Sequence, residues 1–239
     1  MTEALFRADA YLREVEARVV DVEASGVAFD RTIFYPQGGG QLGDQGEIAL
    51  ADGTRLQIVD TVYGPDRKTI RHRLAVGAPP PGAGASATIR LDWPRRFARM
   101  RAHTALHLLS VVLPYPVTGG SVGEAEGRLD FDSGEAAFDK ADVERRLNDL
   151  VARDAEIVAR WISDEELAAN PGLVKTMSVK PPVGTGRVRL VEIVGLDLQP
   201  CGGVHVARTG EIGRAVVVGI EKKGRINRRV RIALSDAAP

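Results

Sequence analysis

The sequence predicts an α+β protein in two parts, a small amino-terminal β-barrel domain followed by an antiparallel α+β domain, and three observations carry that reading. Short alternating runs separated by turns fill the first ninety or so residues, a stretch of helical period begins after Trp93-Pro94, and helices and strands then mix irregularly. Irregular mixing with tight turns favours an antiparallel sheet over a doubly wound parallel one. The boundary is expected near Asp92, giving domains 1–92 and 93–239.

In the first part, Val15, Ala17 and Val19 alternate with Glu14, Glu16 and Arg18, and Ser25-Gly26 then turns the chain into Val27 and Phe29. A second hairpin surrounds Asp52-Gly53, with Ile48 and Leu50 before it and Leu56, Ile58 and Val62 after it. Ile70, His72 and Leu74 alternate again, which makes His72 a core or edge histidine, and Gly77 to Gly84 is a loop. Residues 95–112 lack glycine and proline and carry Phe97, Met100, Thr104, His107, Leu108 and Val111 at helical spacing. A second helix is expected over 139–153. Ser163 and Glu166 form a capping-box pattern for a short third helix, stopped by Asn170-Pro171-Gly172. Strands are expected over 128–132, 156–162, 187–194, 214–220 and 228–234, the last two joined at Lys223-Gly224.

Composition narrows the function classes. Lysine plus arginine and aspartate plus glutamate stand at 32 each, so total charge does not announce a nucleic-acid partner and local clusters must decide. One cysteine excludes an internal disulfide framework, and no apolar stretch reads as a signal peptide or membrane span, so a reducing cytoplasm is the expected location.

That cysteine belongs to a pattern. His103 and His107 lie four apart on the predicted helix, about 6 Å apart at Cβ, and can converge on one ion. Cys201 and His205 are also four apart, on a loop made tight by Pro200, Gly202 and Gly203. Nitrogen and sulfur donors select zinc or a similar borderline metal over magnesium or calcium. Chance pairs of histidines are common, but here three of four histidines and the sole cysteine fall into two matched pairs, which points to one zinc. Without His-Glu-x-x-His or paired Cys-x-x-Cys, the metalloprotease and zinc-finger readings lose their main support.

HTALH at His103, followed about a hundred residues later by CGGVHV at Cys201, resembles the editing domain of alanyl-tRNA synthetase and its free-standing relatives, the AlaX-type alanyl-tRNA editing proteins. FYPQGGGQLGDQG at Phe34 to Gly46 is similar to the glycine-rich element of the AlaX form with an amino-terminal barrel. DWPRRFARMRAHTALHLL and KKGRINRRVRIAL extend the likeness over almost the whole chain, with one departure: Val204 stands where the family usually has threonine.

The resemblance implies a zinc-dependent hydrolase acting in trans on tRNA(Ala), cleaving the ester of a wrong amino acid, chiefly serine with glycine as a second candidate. If all four ligands bind, the tetrahedral shell is filled and the metal positions substrate while a nearby water attacks; if three bind, an open position can generate metal hydroxide. No side chain is assigned as general base. Asp197 is either a partner orienting a ligand histidine or an ordinary loop carboxylate. Thr118, in Val-Thr-Gly-Gly-Ser, is either the partner of the serine hydroxyl or a turn residue. Gly38-Gly39-Gly40-Gln41 lacks the Gly-Lys-Ser/Thr ending of a phosphate loop. The resemblance implies that Gly39, Gly40 and Gln41 shape serine recognition, with Gln41 and Asp44 exposed. Two basic runs are candidate tRNA contacts: Arg95, Arg96, Arg99 and Arg101, and then Lys222, Lys223, Arg225, Arg228, Arg229 and Arg231. Two other readings compete, a non-catalytic tRNA-binding module with a structural zinc and a zinc-dependent hydrolase of small esters.

Overall fold

The computed structural model describes residues 2–175 and 186–235. The chain divides into two compact units, Met1–Phe97 and Ala98–Pro239.

The first unit is a closed six-stranded antiparallel barrel beside a two-stranded parallel pair, β1 (Glu3–Ala4) with β4 (Arg31–Thr32). The barrel strands are β2 (Glu14–Glu23), β3 (Gly26–Phe29), β5 (Gly46–Leu50), β6 (Arg55–Tyr63), β7 (Ile70–Leu74) and β8 (Ser86–Leu91), closed in the order β2-β3-β7-β6-β5-β8. Alternation puts Ala17 and Val19, Leu56 and Ile58, and Ala87, Ile89 and Leu91 inside with Phe29, Phe34 and Ile48. The β2–β3 turn needs its glycine: Gly26 has φ +133°, and a Cβ there would lie 2.7 Å from the His72 carbonyl oxygen.

His72 is fully buried in this barrel, as the strand pattern indicates. Its Nδ1 donates to the Val27 carbonyl at 3.0 Å, its Nε2 lies 2.8 Å from the Thr32 hydroxyl, and its ring meets Phe29 and Phe34 edge-on. With both nitrogens engaged, burial of the neutral imidazole leaves no orphan polar atom.

Helix α1 (Trp93–Val112) begins in the first unit and continues into the second, so the division falls after Phe97, inside the helix. The reason is chemical: Trp93 packs on Tyr11, and Arg96 is ion-paired to Asp44, both within the barrel unit.

In the second unit, α1 buries Met100, Ala102, Ala105, Leu106, Leu108 and Leu109 and is the core helix. Four antiparallel strands follow the order β14-β15-β10-β9: β9 (Val117–Val122), β10 (Glu126–Asp132), β14 (Arg214–Lys223) and β15 (Asn227–Ser235). Helix α2 (Lys140–Val151), capped by Asp139, is fastened to β14 through Asn148, which exchanges two hydrogen bonds with the Ala215 backbone. A second sheet has the order β11-β12-β13, from β11 (Ile157–Ser163), β12 (Arg187–Ile193) and β13 (Asp197–Pro200). The Ser163–Glu166 capping box starts helix α3 (Asp164–Ala169), as the sequence pattern indicates. Among the described residues, no helix is long and apolar enough to cross a membrane.

Candidate metal centre

Helix α1 supplies His103 and His107 one turn apart. Strand β13 leads into Cys201, and the loop after it returns His205 to the same place. The four donor atoms all lie within 4.8 Å of one another, with the three imidazoles buried and Cys201 half-buried. Cys201 Sγ is 3.6 Å from His103 Nε2 and 3.3 Å from His205 Nε2. Bonds of about 2.0–2.1 Å to nitrogen and 2.3 Å to sulfur in a tetrahedron put nitrogen and sulfur donors about 3.5 Å apart, so these separations fit one ion.

The hydrogen bonds around the ligands fix their lone pairs. The Thr104 hydroxyl donates to the Met100 carbonyl at 2.9 Å, so it accepts from His205 Nδ1 at 3.1 Å and leaves His205 Nε2 as the donor atom. His107 Nδ1 donates to Asp197 Oδ2 at 3.1 Å, which turns His107 Nε2 inward in the same way. Asp197 is held by Gln199 Nε2 at 2.6 Å and by the Lys175 ammonium. Burial raises the Asp197 pKa, yet the bonds from His107, Lys175 and Gln199 outweigh it and hold it at about 2, so the acceptor is a carboxylate.

The same balance makes a thiolate. Burial pushes the Cys201 thiol up, but the electrostatic influence of His103 and His205 and the hydrogen bonds from His103 and His107 bring it well below the usual range. Burial drives His205 down to about 3, whereas for His107 burial is overcome by its bonds to Asp197 and Cys201, which raise it to about 9. A half-buried thiolate facing three imidazole nitrogens is a site a divalent cation satisfies, and the donor set matches a borderline metal.

Sequence reasoning missed Thr104, Gln199 and Lys175. Asp197, Gln199 and Cys201 follow a period of two, and strand β13 puts these side chains on one face, where the proline and glycines around Cys201 suggest a loop. Val204, where the resemblance expects a threonine hydroxyl, is buried at 1% exposure.

Other candidates are placed differently from expectation. Thr118 lies on strand β9, half-buried, donating to the Asp130 carbonyl at 3.1 Å, and is not a turn residue. Gly119-Gly120 signalled a turn because glycine usually does, but here a Cβ on Gly120 would lie 3.1 Å from Leu129 Cδ2, so the small residue serves close strand packing. Gln41 and Asp44 are not exposed: each is 1% exposed. Asp44 accepts from the Tyr35 amide at 2.6 Å and from Arg96. Gly39 and Gly40, with φ +57° and +82°, form the exposed tip of a tight turn whose ends, Gly38 and Gln41, bridge each other.

The first basic run is largely internal. Arg96 binds Asp44 and the Ala10 and Ile33 carbonyls, Arg99 binds Glu124, and Arg101 donates to the Ile212 carbonyl. Arg96 and Arg99 are 1% exposed, so neither presents its charge to a tRNA phosphate as the sequence suggests; a charge run does not reveal buried partners. Arg95 is exposed beside Asp92. Lys222, Lys223 and Arg225 are exposed at the β14–β15 turn and Arg228 is half-buried, while Arg229 grips Asp130 through two bonds and Arg231 pairs with Glu221.

The family described as "Threonyl and Alanyl tRNA synthetase second additional domain" matches residues 188–231, which include Cys201 and His205. The chain is 34% identical to the alanyl-tRNA editing protein AlaX-M of Methanosarcina mazei, covering 100% of this chain and 98% of the relative. It is 33% identical to AlaX-M of Saccharolobus solfataricus, covering 96% and 98%. With the alanine–tRNA ligase of Metallosphaera sedula it shares 31% identity over 92% of this chain, but only 25% of that longer protein. Matched end to end by these relatives, and carrying the imidazole and thiolate cluster described above, the chain belongs to the family of AlaX-type alanyl-tRNA editing proteins.

Proposed function

We propose that the chain is a zinc-dependent deacylase acting in trans on tRNA(Ala) mischarged chiefly with serine, with glycine as a second substrate. The observation that carries this reading is the four-donor cluster in a chain similar over its full length to proteins named for alanyl-tRNA editing. One zinc would be held by His103, His107, Cys201 and His205, supplying a Lewis acid that binds a substrate amine or hydroxyl. Four donors within 4.8 Å support a filled tetrahedral shell, and thereby a positioning role.

The chain's own residues do the rest. Asp197 and Thr104 hold His107 and His205 in their ligating tautomers. Thr118 is proposed as the partner of the serine hydroxyl, because a site that bonds a hydroxyl separates serine from alanine better than an apolar slot does. Gly39 and Gly40 are proposed to contribute to serine recognition, with Gln41 anchoring the turn from inside the barrel unit. Phosphates are assigned to Arg95, Lys222, Lys223, Arg225 and Arg228, with Arg229 contributing charge from its pair with Asp130. A cytoplasmic location agrees with a thiolate ligand that must stay reduced.

The test is release of amino acid from seryl-, glycyl- and alanyl-tRNA(Ala), with metal-loaded and metal-stripped protein. Preferential release of serine that depends on metal is expected; equal release of all three would sink the editing assignment. The filled donor set also favours a second reading, a binding module with a structural metal, which predicts no turnover of any acylated tRNA.

A further inference from the structure

Strand register puts three side chains in one row. Trp161 on β11 is paired with Arg189 on β12, and Arg189 in turn stands beside Cys201, whose amide donates to the Arg189 carbonyl at 3.1 Å. Paired residues on neighbouring strands point to the same face, so the indole lies on the face of the sheet that carries the thiolate ligand. Two strand spacings separate their backbones, about 10 Å.

This row runs from a buried end to an open one. Asp197 and Gln199 are buried on the same face, Cys201 and Arg189 are half-buried, and Trp161 is 43% exposed, a large cost for an indole that serves only packing. The Arg187 guanidinium sits 4.7 Å from the Trp161 ring centroid, and Arg189 Nη1 donates to the Cys201 and Gly203 carbonyls at 3.0 Å each, bracing the ligand loop. Of the acids near this row, Asp197 pairs with Lys175, Asp164 accepts from the Gly186 amide beside Arg187, and Glu192 points to the opposite face, where it pairs with Arg160.

We infer that Trp161 and Arg187 form a stacking platform for an unpaired base near the 3′ end of the tRNA, next to the metal centre. An exposed indole with a planar guanidinium over its ring is the kind of group that holds single-stranded nucleic acid without reading its sequence. The platform deepens the proposed function, since it rests on an acylated tRNA as substrate. It assigns Trp161 to holding the strand whose esterified terminus reaches the thiolate and imidazoles.

The chain has two tryptophans, so Trp93→Phe leaves Trp161 as the sole indole reporter. In that full-length background, titration with a short single-stranded RNA should quench the fluorescence, and an oligonucleotide with abasic sites in place of the last bases should quench far less. Trp161→Ala should weaken binding of the same RNA about tenfold and raise the KM for acylated tRNA with it, while Trp161→Phe recovers most of the loss. Unchanged metal content in both variants excludes a collapsed site. Equal quenching by abasic RNA, or equal RNA affinity of the Trp161→Ala protein, overturns the platform. If the wild-type chain binds RNA in this way but releases no amino acid, the platform stands and the deacylase reading falls.

Discussion

His107 and Asp197 are ninety residues apart in sequence, yet the imidazole donates to the carboxylate at 3.1 Å and so presents its other nitrogen to the ligand cluster. Three further groups, Gln199, Lys175 and the His107 backbone through Ser110, are joined to this pair by hydrogen bonds. Asp197→Ala should therefore weaken metal binding about 10- to 100-fold while the fold persists. Competition with a metallochromic chelator measures this, and an unchanged affinity would remove Asp197 from the site.

Cys201→Ala removes the thiolate and leaves three imidazoles. Metal content should drop well below one ion per chain, and deacylation of seryl-tRNA(Ala) should fall at least a hundredfold if the metal holds substrate. Elemental analysis alongside the release assay separates the two effects. Retention of a full equivalent of metal would mean that the imidazoles alone define the site.

The Asp44–Arg96 pair is completely enclosed, with both side chains 1% exposed. Asp44→Ala strands a guanidinium in the barrel unit and should cost about 3–5 kcal/mol in urea unfolding. The double variant Asp44→Leu/Arg96→Met should recover much of that loss. Equal destabilisation by both variants would show that the pair's hydrogen bonds to Tyr35, Ala10 and Ile33 matter more than its charge.

His72 gives the barrel unit a pH signature. Burial lowers its pKa to about 4, against an ordinary 6.5, so the unfolded chain binds this proton more readily than the folded one. Stability is therefore full above pH 6.5 and is lost as pH falls towards 4, by about 3 kcal/mol. His72→Gln should flatten that part of the curve. A barrel transition equally stable at pH 7 and pH 4.5 would contradict the assignment.

The ligand quartet was legible because helix and loop periodicity are local: four-residue spacing on α1 and two glycines beside Cys201 carry the geometry in the sequence itself. The barrel was legible from alternation, although its closure through β8 pairing with both β2 and β5 is a tertiary fact. What escaped depended on distant partners. Arg96 and Arg99 read as solvent-facing cations until Asp44 and Glu124 were brought to them, and Gly119-Gly120 read as a turn until Leu129 and Asp130 of the next strand filled the space over them. Thr104 gave no signal, since a threonine beside a histidine is common and only His205, a hundred residues on, gives it a purpose.

The two halves of the ligand set are made at different times. His107 leaves the ribosome ninety-four residues before Cys201, an interval of about 5–20 s at ordinary rates of synthesis. During that interval the nascent chain can offer a passing cation only two imidazoles, a weak hold, so the proposed four-donor site would be complete only once His205 has been made. Loading of the proposed metal would thus be a late event in biogenesis, after both halves of the donor set exist.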